Sequence, residues 1–261
     1  MAIQVSGTEV ISNARALTNI ASVDATTVAS LSAAGVGGGA PLPPTWNPAS
    51  TPNVTYTSST TWTKPALSDD TWVLFYSVAG GAAGSGGFYS AGGSGGGAAI
   101  VVGILGELPS SISITIGAGG VSGGGGGYMG GYGGNTVLSA SGFAFTANGG
   151  LNNSSTTAGG GFVFPIPVNP FTITPTVTTI YGGGGGQRDN NGDGAIYGAA
   201  GGGGGYTGTH AGGTSTYAGN GGTGRSSSAA SNGTFPGGGG GGSLNSTKAA
   251  GGNGVVKVWY L

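Results

Sequence analysis

The chain has 261 residues, of which 65 are glycine, with 37% hydrophobic, 8% aromatic and 5% charged residues and a formal net charge of −1. Disordered proteins are poor in aromatic residues and rich in charge, so this composition excludes disorder for most of the chain. Six lysines and arginines, spread along the whole sequence, do not form the basic face that nucleic-acid binding requires. No run of 18 apolar residues occurs, which excludes a membrane-spanning helix.

Glycine is unevenly distributed and divides the chain into three parts. Residues 1–34 contain one glycine, Gly7, and we interpret them as a segment for attachment or oligomerisation. Within them, IQVSGTEVI predicts a β-hairpin, and DATTVASLSAA (24–34) predicts a short helix or an extended piece. Residues 35–53 begin with GVGGGAPLPP and are predicted to be a linker. The N-terminus has no basic region followed by an apolar core, so we expect no secretory signal peptide.

Residues 54–261 are predicted to form an all-β, glycine-rich domain. Its strand candidates, in chain order, are NVTYT continued by TWTKP (53–65), TWVLFYSV (71–78), AAIVVGIL (98–105), SISITIGAGG (111–120), the pair in NTVLSASGFAFTANGG (135–150), and GVVKVWYL (254–261). The last strand is expected to return to the first ones and close a β-sandwich-like scaffold. The glycine runs between the strands are too long for structureless loops.

Two five-glycine runs, 182–186 and 201–205, show how such segments could be ordered. A glycine run can form an extended left-handed helix of three residues per turn, which makes no internal hydrogen bonds. Several such helices packed side by side can bond one another, and only glycine permits the close approach. We therefore predict packed helices of the polyglycine II type, with residues 187–200 as an exposed tip between the two runs. The alternative is that the runs are flexible spacers.

The ordered series TSSTTWTKP…TWVLFYSVAGGAAGSGG, AAIVVG…SISITIGAGG, NTVLSASG…ANGG and GGNGVVKVWYL resembles the glycine-rich domain of tail-fibre and adhesin proteins of tailed bacteriophages. The order agrees over residues 54–261. The resemblance implies a virion protein, made without a signal peptide, that binds a host glycan or outer-membrane protein. It further implies attachment to other tail or fibre proteins through the N-terminus, and a homotrimer.

Receptor-binding candidates lie in and after the predicted tip. They are Arg188, Asp189, Asn190, Asn191, Tyr197, Tyr206, His210 and Tyr217. Tyrosine suits such a surface because its ring is large, amphipathic and loses little side-chain entropy. The alternative is that the aromatic residues beside glycine cover the glycine layers as part of the core. These residues are Phe88, Tyr89, Tyr128, Tyr132, Tyr181, Tyr197, Tyr206, Tyr217 and Phe235.

Two further motifs leave their interpretation open. DNNGDG (189–194) matches the first half of a calcium loop, with Asp189, Asn191 and Asp193 as oxygen donors, but Ala200 replaces the expected glutamate. The alternative is a polar turn, and otherwise we expect no cofactor. The glycine-free, proline-containing insertion 162–180 could be a binding surface, a contact between copies or an edge cover.

Catalysis is not expected, because the lone His210 has no recognisable nucleophile and carboxylates are few. The sequence thus favours a phage adhesin that contacts the host surface. The alternative is a purely structural virion component, such as a fibre connector or decoration protein. An ice-binding protein would require regularly spaced threonines on one face.

Overall fold

The structure is a computed structural model that describes residues 3–5, 8–11, 47, 49–87, 90–122, 129–151, 162–163, 178–180, 182–244 and 249–261. It contains two compact units, Met1–Pro43 and Pro44–Leu261. In the first unit, β1 (Ile3–Val5) and β2 (Thr8–Ile11) pair antiparallel, which confirms the predicted hairpin. The element predicted at 24–34 lies outside the described residues.

The second unit contains two five-stranded antiparallel sheets. Sheet I has the order β11 (Thr178–Ile180), β6 (Ala98–Ile104), β5 (Trp72–Val78), β14 (Val255–Tyr260), β3 (Val54–Tyr56). Sheet II has the order β10 (Phe162–Val163), β9 (Phe143–Ala147), β8 (Thr136–Ala140), β7 (Ser111–Thr115), β4 (Thr60–Thr63). A 3₁₀ turn, Leu105–Glu107, follows β6. No helix among the described residues is long and apolar enough to cross a membrane.

The hydrophobic core lies between the two sheets because their strands alternate apolar side chains inward. Sheet I contributes Val73 and Phe75, and sheet II contributes Ile112 and Ile114, all of them buried. The buried Trp62 ring meets Phe75 edge-on, with centroids 5.4 Å apart. The predicted β sandwich and its closing strand are therefore confirmed.

One strand prediction is wrong in its connectivity. TWTKP does not continue NVTYT, because β3 is the edge of sheet I and β4 is the edge of sheet II. The backbone of β3 pairs with β14, whereas β4 pairs with β7. The reason is the core position of Trp62, which the opposite sheet must cover. Its indole N–H donates a hydrogen bond of 3.0 Å to the Tyr260 hydroxyl of sheet I.

The insertion 162–180 contributes an edge strand to each sheet. Its first described piece, β10, pairs with β9, and its last, β11, pairs with β6. Residues 164–177 lie outside the described residues. The two ends of the insertion therefore cover sheet edges, which is the position that proline-rich chain tolerates.

The glycine-rich segments form a bundle of extended rods that make backbone hydrogen bonds to one another rather than within themselves. We call each of these segments a rod. The described rods are 79–86, 90–97, 117–121, 130–134, 147–151, 182–186, 190–194, 199–205, 211–214, 218–224, 230–234, 237–243 and 249–254.

Rod 79–86 shows the threefold pattern of a polyglycine II helix. Every third N–H of the rod points to the same neighbouring rod. The N–H groups of residues 79, 82 and 85 donate to rod 90–97, those of 80 and 83 to rod 130–134, and those of 81 and 84 to rod 249–254. The carbonyls of the same rod accept from three other rods, 117–121, 147–151 and 237–243. Six neighbours around one rod correspond to hexagonal packing.

The close packing explains why these positions are glycine. A Cβ at Gly92 would overlap the carbonyl oxygen of Gly202, and one at Gly202 would overlap that of Gly240. The obstructing atoms belong to the backbone, so no rotamer change would relieve the clash. The predicted packing of runs 182–186 and 201–205 is confirmed: Gly186 N–H donates to the Gly202 carbonyl over 2.8 Å.

The rods also bury the outer face of sheet I. Leu74, Tyr76 and Trp259 point away from the sandwich core and form a second apolar cluster, in which Ala199 of a rod is buried. The Tyr76 hydroxyl donates to the Tyr197 backbone carbonyl. Every residue of β5 is consequently buried. This explains the apolar residues on both faces of that strand.

Candidate functional site

The rods alternate in direction, so their connecting turns collect at two opposite ends of the bundle. Rod 79–86 follows β5 directly and therefore runs away from the sandwich. Rod 237–243 runs parallel to it, since Gly240 and Ser243 donate to the carbonyls of Ala82 and Ser85. Rod 199–205 runs parallel to rod 237–243, and rod 182–186 runs parallel to rod 199–205. Both therefore also run away from the sandwich. We call the far end distal and the end at sheet I proximal.

Three successive distal turns lie side by side: 187–190, 206–209 and 225–228. The Tyr206 N–H donates to the Arg188 carbonyl over 3.1 Å, and the Ser226 N–H donates to the Gly208 carbonyl over 3.0 Å. The short strands β12 (Thr209–His210) and β13 (Gly224–Arg225) further join the second turn to the third. We call these three turns, with His210, the distal ridge.

The first two turns of the distal ridge are also joined through side chains. The guanidinium carbon of Arg188 lies 3.9 Å from the Tyr206 ring centroid, a cation–π arrangement. Asp189 Oδ1 accepts hydrogen bonds from the Thr207 N–H, over 2.8 Å, and from its hydroxyl, over 2.6 Å. His210 Nε2 lies 3.7 Å from the same carboxylate oxygen.

These contacts set the protonation of Asp189. The two hydrogen bonds from Thr207 favour the ionised carboxylate and hold the pKa of Asp189 below its ordinary value, with His210 and Arg188 as smaller causes. The side chain is solvent-exposed, so water screens these interactions. The carboxylate therefore serves mainly to fix the second turn against the first.

The predicted tip 187–200 is corrected by the structure. Only 187–190 form a distal turn. Residues 190–194 are a rod that returns toward the sandwich, with the Asp193 N–H donating to the Gly184 carbonyl over 2.9 Å. At about 3.1 Å per residue, such an extended piece spans the bundle rather than forming a loop. Residues 195–198 consequently lie at the proximal end.

Two of the predicted receptor residues, Tyr197 and Tyr217, therefore lie away from the others. Their rings stack 5.2 Å apart with an angle of 23° beside sheet I. Tyr197 packs against the apolar cluster that contains Tyr76. This position agrees with the alternative that aromatic residues beside glycine form part of the core. Arg188, Asp189, Asn190, Tyr206 and His210 are brought together distally, and Asn191 lies just below them in rod 190–194.

The other aromatic residues beside glycine do not pack in this cluster where the structure describes them. Tyr132 and Phe235 are exposed, by 64% and 51%. The remaining ones, Phe88, Tyr89, Tyr128 and Tyr181, lie outside the described residues.

The extended path of 190–194 does not favour the calcium interpretation. A calcium loop wraps its oxygen donors around one point, whereas these residues lie along a rod. Asp189 Oδ1 is engaged by Thr207, and Asn191 Oδ1 accepts a 2.9 Å hydrogen bond from the Ala211 N–H. Among the described residues, no three His, Cys, Asp or Glu side chains are grouped as metal ligands would be.

Sequence reasoning missed Thr207, Arg225 and the serines after it. A signal was available, because the rods repeat with a period of 19 residues. Ala200 donates to the Gly219 carbonyl, and Gly203 donates to the Gly222 carbonyl. The same period relates Arg188, Thr207 and Ser226, which occupy equivalent places in successive distal turns. Such spacing is typical of a repeat in which each unit adds one turn to a common edge.

Comparison with known proteins gives one result that covers most of the chain. The model of a family described as a glycine-rich domain matches residues 50–261. The match includes both sheets and every described rod. Comparison with curated proteins finds no match. The chain belongs to the glycine-rich domain family.

Proposed function

We propose that this chain is a tail-fibre or adhesin protein of a tailed bacteriophage, and that its distal ridge binds the host cell surface. The proposal rests on the ordered resemblance over residues 54–261 and, above all, on the construction of the ridge. Its turns are polar and either exposed or half-buried, whereas the rods beneath them are held by backbone bonds on several sides. Polar turns on a rigid support are a common arrangement for recognition.

The remaining parts of the proposal follow from this role. Residues 1–34 would attach the protein to other tail or fibre proteins, and 35–53 would serve as the linker. The protein would act in the virion, as a homotrimer, on a host glycan or outer-membrane protein. It would carry no enzymatic activity.

An exposed apolar patch favours the alternative, a structural component of the virion. Val121, Met129, Tyr132 and Leu151 are exposed by 73%, 61%, 64% and 43%. They lie near one another because the Gly131 N–H donates to the Val121 carbonyl and the Gly133 N–H donates to the Gly150 carbonyl. Grouped exposed apolar side chains are typical of protein contacts. A connector protein would use such a patch and leave the distal ridge without a partner.

The outer face of sheet II does not favour the ice-binding alternative. Its outer face carries one row across four strands, formed by Thr61, Ser113, Ser139 and Ala144. Three different residue types in one row do not make the regular threonine array that this function would require.

Binding of the fluorescently labelled full-length chain to candidate host cells tests the proposal. We expect saturable binding that falls at least tenfold in the double variant Arg188→Gln/Tyr206→Ala, because the Arg188–Tyr206 pair lies on the ridge. Lys64→Gln is the matched control, since Lys64 lies at the far end of the sandwich, next to Gly106. Absence of binding to every candidate host would favour the structural component. Binding that the double variant retains would place the receptor site away from the distal ridge.

A further inference from the structure

Both ends of the Pro44–Leu261 unit carry charged side chains, but the two ends differ in net charge. Both of its arginines, Arg188 and Arg225, lie on the distal ridge. Three of the described carboxylates, Asp69, Asp70 and Glu107, lie together at the far end of the sandwich, where the Gly106 N–H donates to the Asp69 carbonyl. Lys64 lies at the same end and offsets only part of this negative charge. A molecule arranged in this way presents its positive end to a partner that approaches the ridge.

The ridge itself carries little negative charge to offset the arginines. Its single carboxylate, Asp189, is engaged by both donors of Thr207 and lies 3.7 Å from His210. Arg225 is exposed at the start of the third turn. The ridge therefore has a net positive charge.

Exposed hydroxyl side chains lie in the second and third turns of the ridge. Thr207 and Thr209 lie in the second turn, Ser227 and Ser228 in the third, and all four are exposed. The Tyr206 ring lies beneath the Arg188 guanidinium at 3.9 Å and restrains it. Guanidinium groups bind carboxylate or sulfate through paired hydrogen bonds, and hydroxyls suit the hydroxyl groups of sugars.

We propose that the distal ridge selects an acidic polysaccharide, in which sugar carboxylates or sulfates pair with Arg188 and Arg225. This inference rests on the proposed function, since it names the class of host molecule that the ridge recognises. A neutral glycan offers no anion to either guanidinium group, and a purely apolar partner would leave the hydroxyls unmatched.

Three forms of one polymer give a matched test: dextran, carboxymethyl-dextran and dextran sulfate, each immobilised and probed with the full-length chain. We expect binding to the two acidic forms and at least tenfold weaker binding to dextran. Binding to the acidic forms should also weaken between 50 and 500 mM salt, because salt screens exposed charges, with a Debye length of about 10 Å at 0.1 M. The two acidic arms distinguish carboxylate from sulfate recognition.

The variant Arg188→Gln/Arg225→Gln should lose about tenfold or more in affinity for the acidic dextrans, the equivalent of one strong charge-assisted pair. Lys64→Gln removes a positive charge far from the ridge and should bind as the unaltered chain does. Arg188→Lys/Arg225→Lys keeps the charge without the paired donors and should give an intermediate loss. Equal thermal midpoints would show that all variants are folded.

Two outcomes would overturn the inference: equal binding to dextran and its acidic forms, or acidic binding that the glutamine variant retains. Cell binding separates this failure from failure of the proposed function. Cells bound equally by the unaltered chain and the glutamine variant, and not released by soluble dextran sulfate, would refute acidic recognition while the adhesin role stands. Absence of cell binding would instead refute the adhesin role.

Discussion

The sandwich and the rod bundle belong to one unit but are specified in opposite ways. In the sandwich, side chains such as Phe75 and Ile112 alternate toward a shared core, and burial of apolar surface stabilises it. In the bundle, the absence of side chains lets backbones approach and exchange hydrogen bonds with several neighbours. The sandwich should therefore tolerate changes of shape, whereas the bundle should not tolerate an added methyl group at a glycine that touches the backbone of another rod.

The largest expected effect comes from Gly202→Ala. The new Cβ would overlap the Gly240 carbonyl, and neither backbone can move without breaking bonds to other rods. We expect a loss of about 4 kcal/mol or more in the free energy of unfolding, measured by chemical denaturation. Gly208→Ala is the matched control: its Cβ would meet nothing closer than His210 Nε2 at 3.7 Å. A Gly202→Ala protein as stable as the control would contradict close packing.

Tyr76→Phe tests the junction of the two regions. It removes the hydroxyl that donates to the Tyr197 carbonyl while keeping the ring in its apolar cluster. Burial, with Tyr197 as a smaller cause, raises the pKa of Tyr76 above its ordinary value, which keeps the hydroxyl protonated. We expect a loss of about 1–2 kcal/mol, since the carbonyl loses its partner. An unchanged free energy of unfolding would show that the Tyr76 hydroxyl does not hold the proximal turns.

Leu138→Met tests how well the core of the sandwich tolerates a change of side-chain shape. Leu138 is fully buried in the core between the sheets, and methionine has a similar volume and a flexible side chain. The free energy of unfolding should fall by less than about 1.5 kcal/mol. If this substitution costs as much as Gly202→Ala, the two regions do not differ in tolerance as we propose.

The sequence was informative where side chains carry a pattern. The alternation of Ile112 and Ile114 predicted β7, and the apolar run of β5 predicted a strand buried on both faces. The ordering of the glycine runs followed from hydrogen-bond requirements. The arrangement of the rods around one another could not be predicted, because glycine has no side chain that identifies one face of a rod. The placement of Tyr197 beside sheet I, and of Tyr206 distally, therefore could not be derived without the 19-residue period.

The smallest expected effect is the titration of the distal ridge. The pKa of Asp189 in the folded protein lies below its ordinary value of 3.8. The stabilisation by Thr207 is therefore present above pH 3.8 and is lost as the pH falls through the folded-state pKa. The Thr207 amide resonance should therefore shift with a midpoint below pH 3.8, as measured by NMR. Asp189→Asn should abolish this titration. A midpoint at or above 3.8 would show that the Thr207 contacts do not form.

Hydrogen–deuterium exchange, resolved by residue, tests the rods most directly. Glycine amides of 199–205 and 237–243 donate to neighbouring rods and should exchange as slowly as amides of Trp72–Val78 in the centre of sheet I. Exchange of these glycines at the rate of an unfolded chain, with β5 still protected, would show that the runs are flexible linkers and would contradict the account.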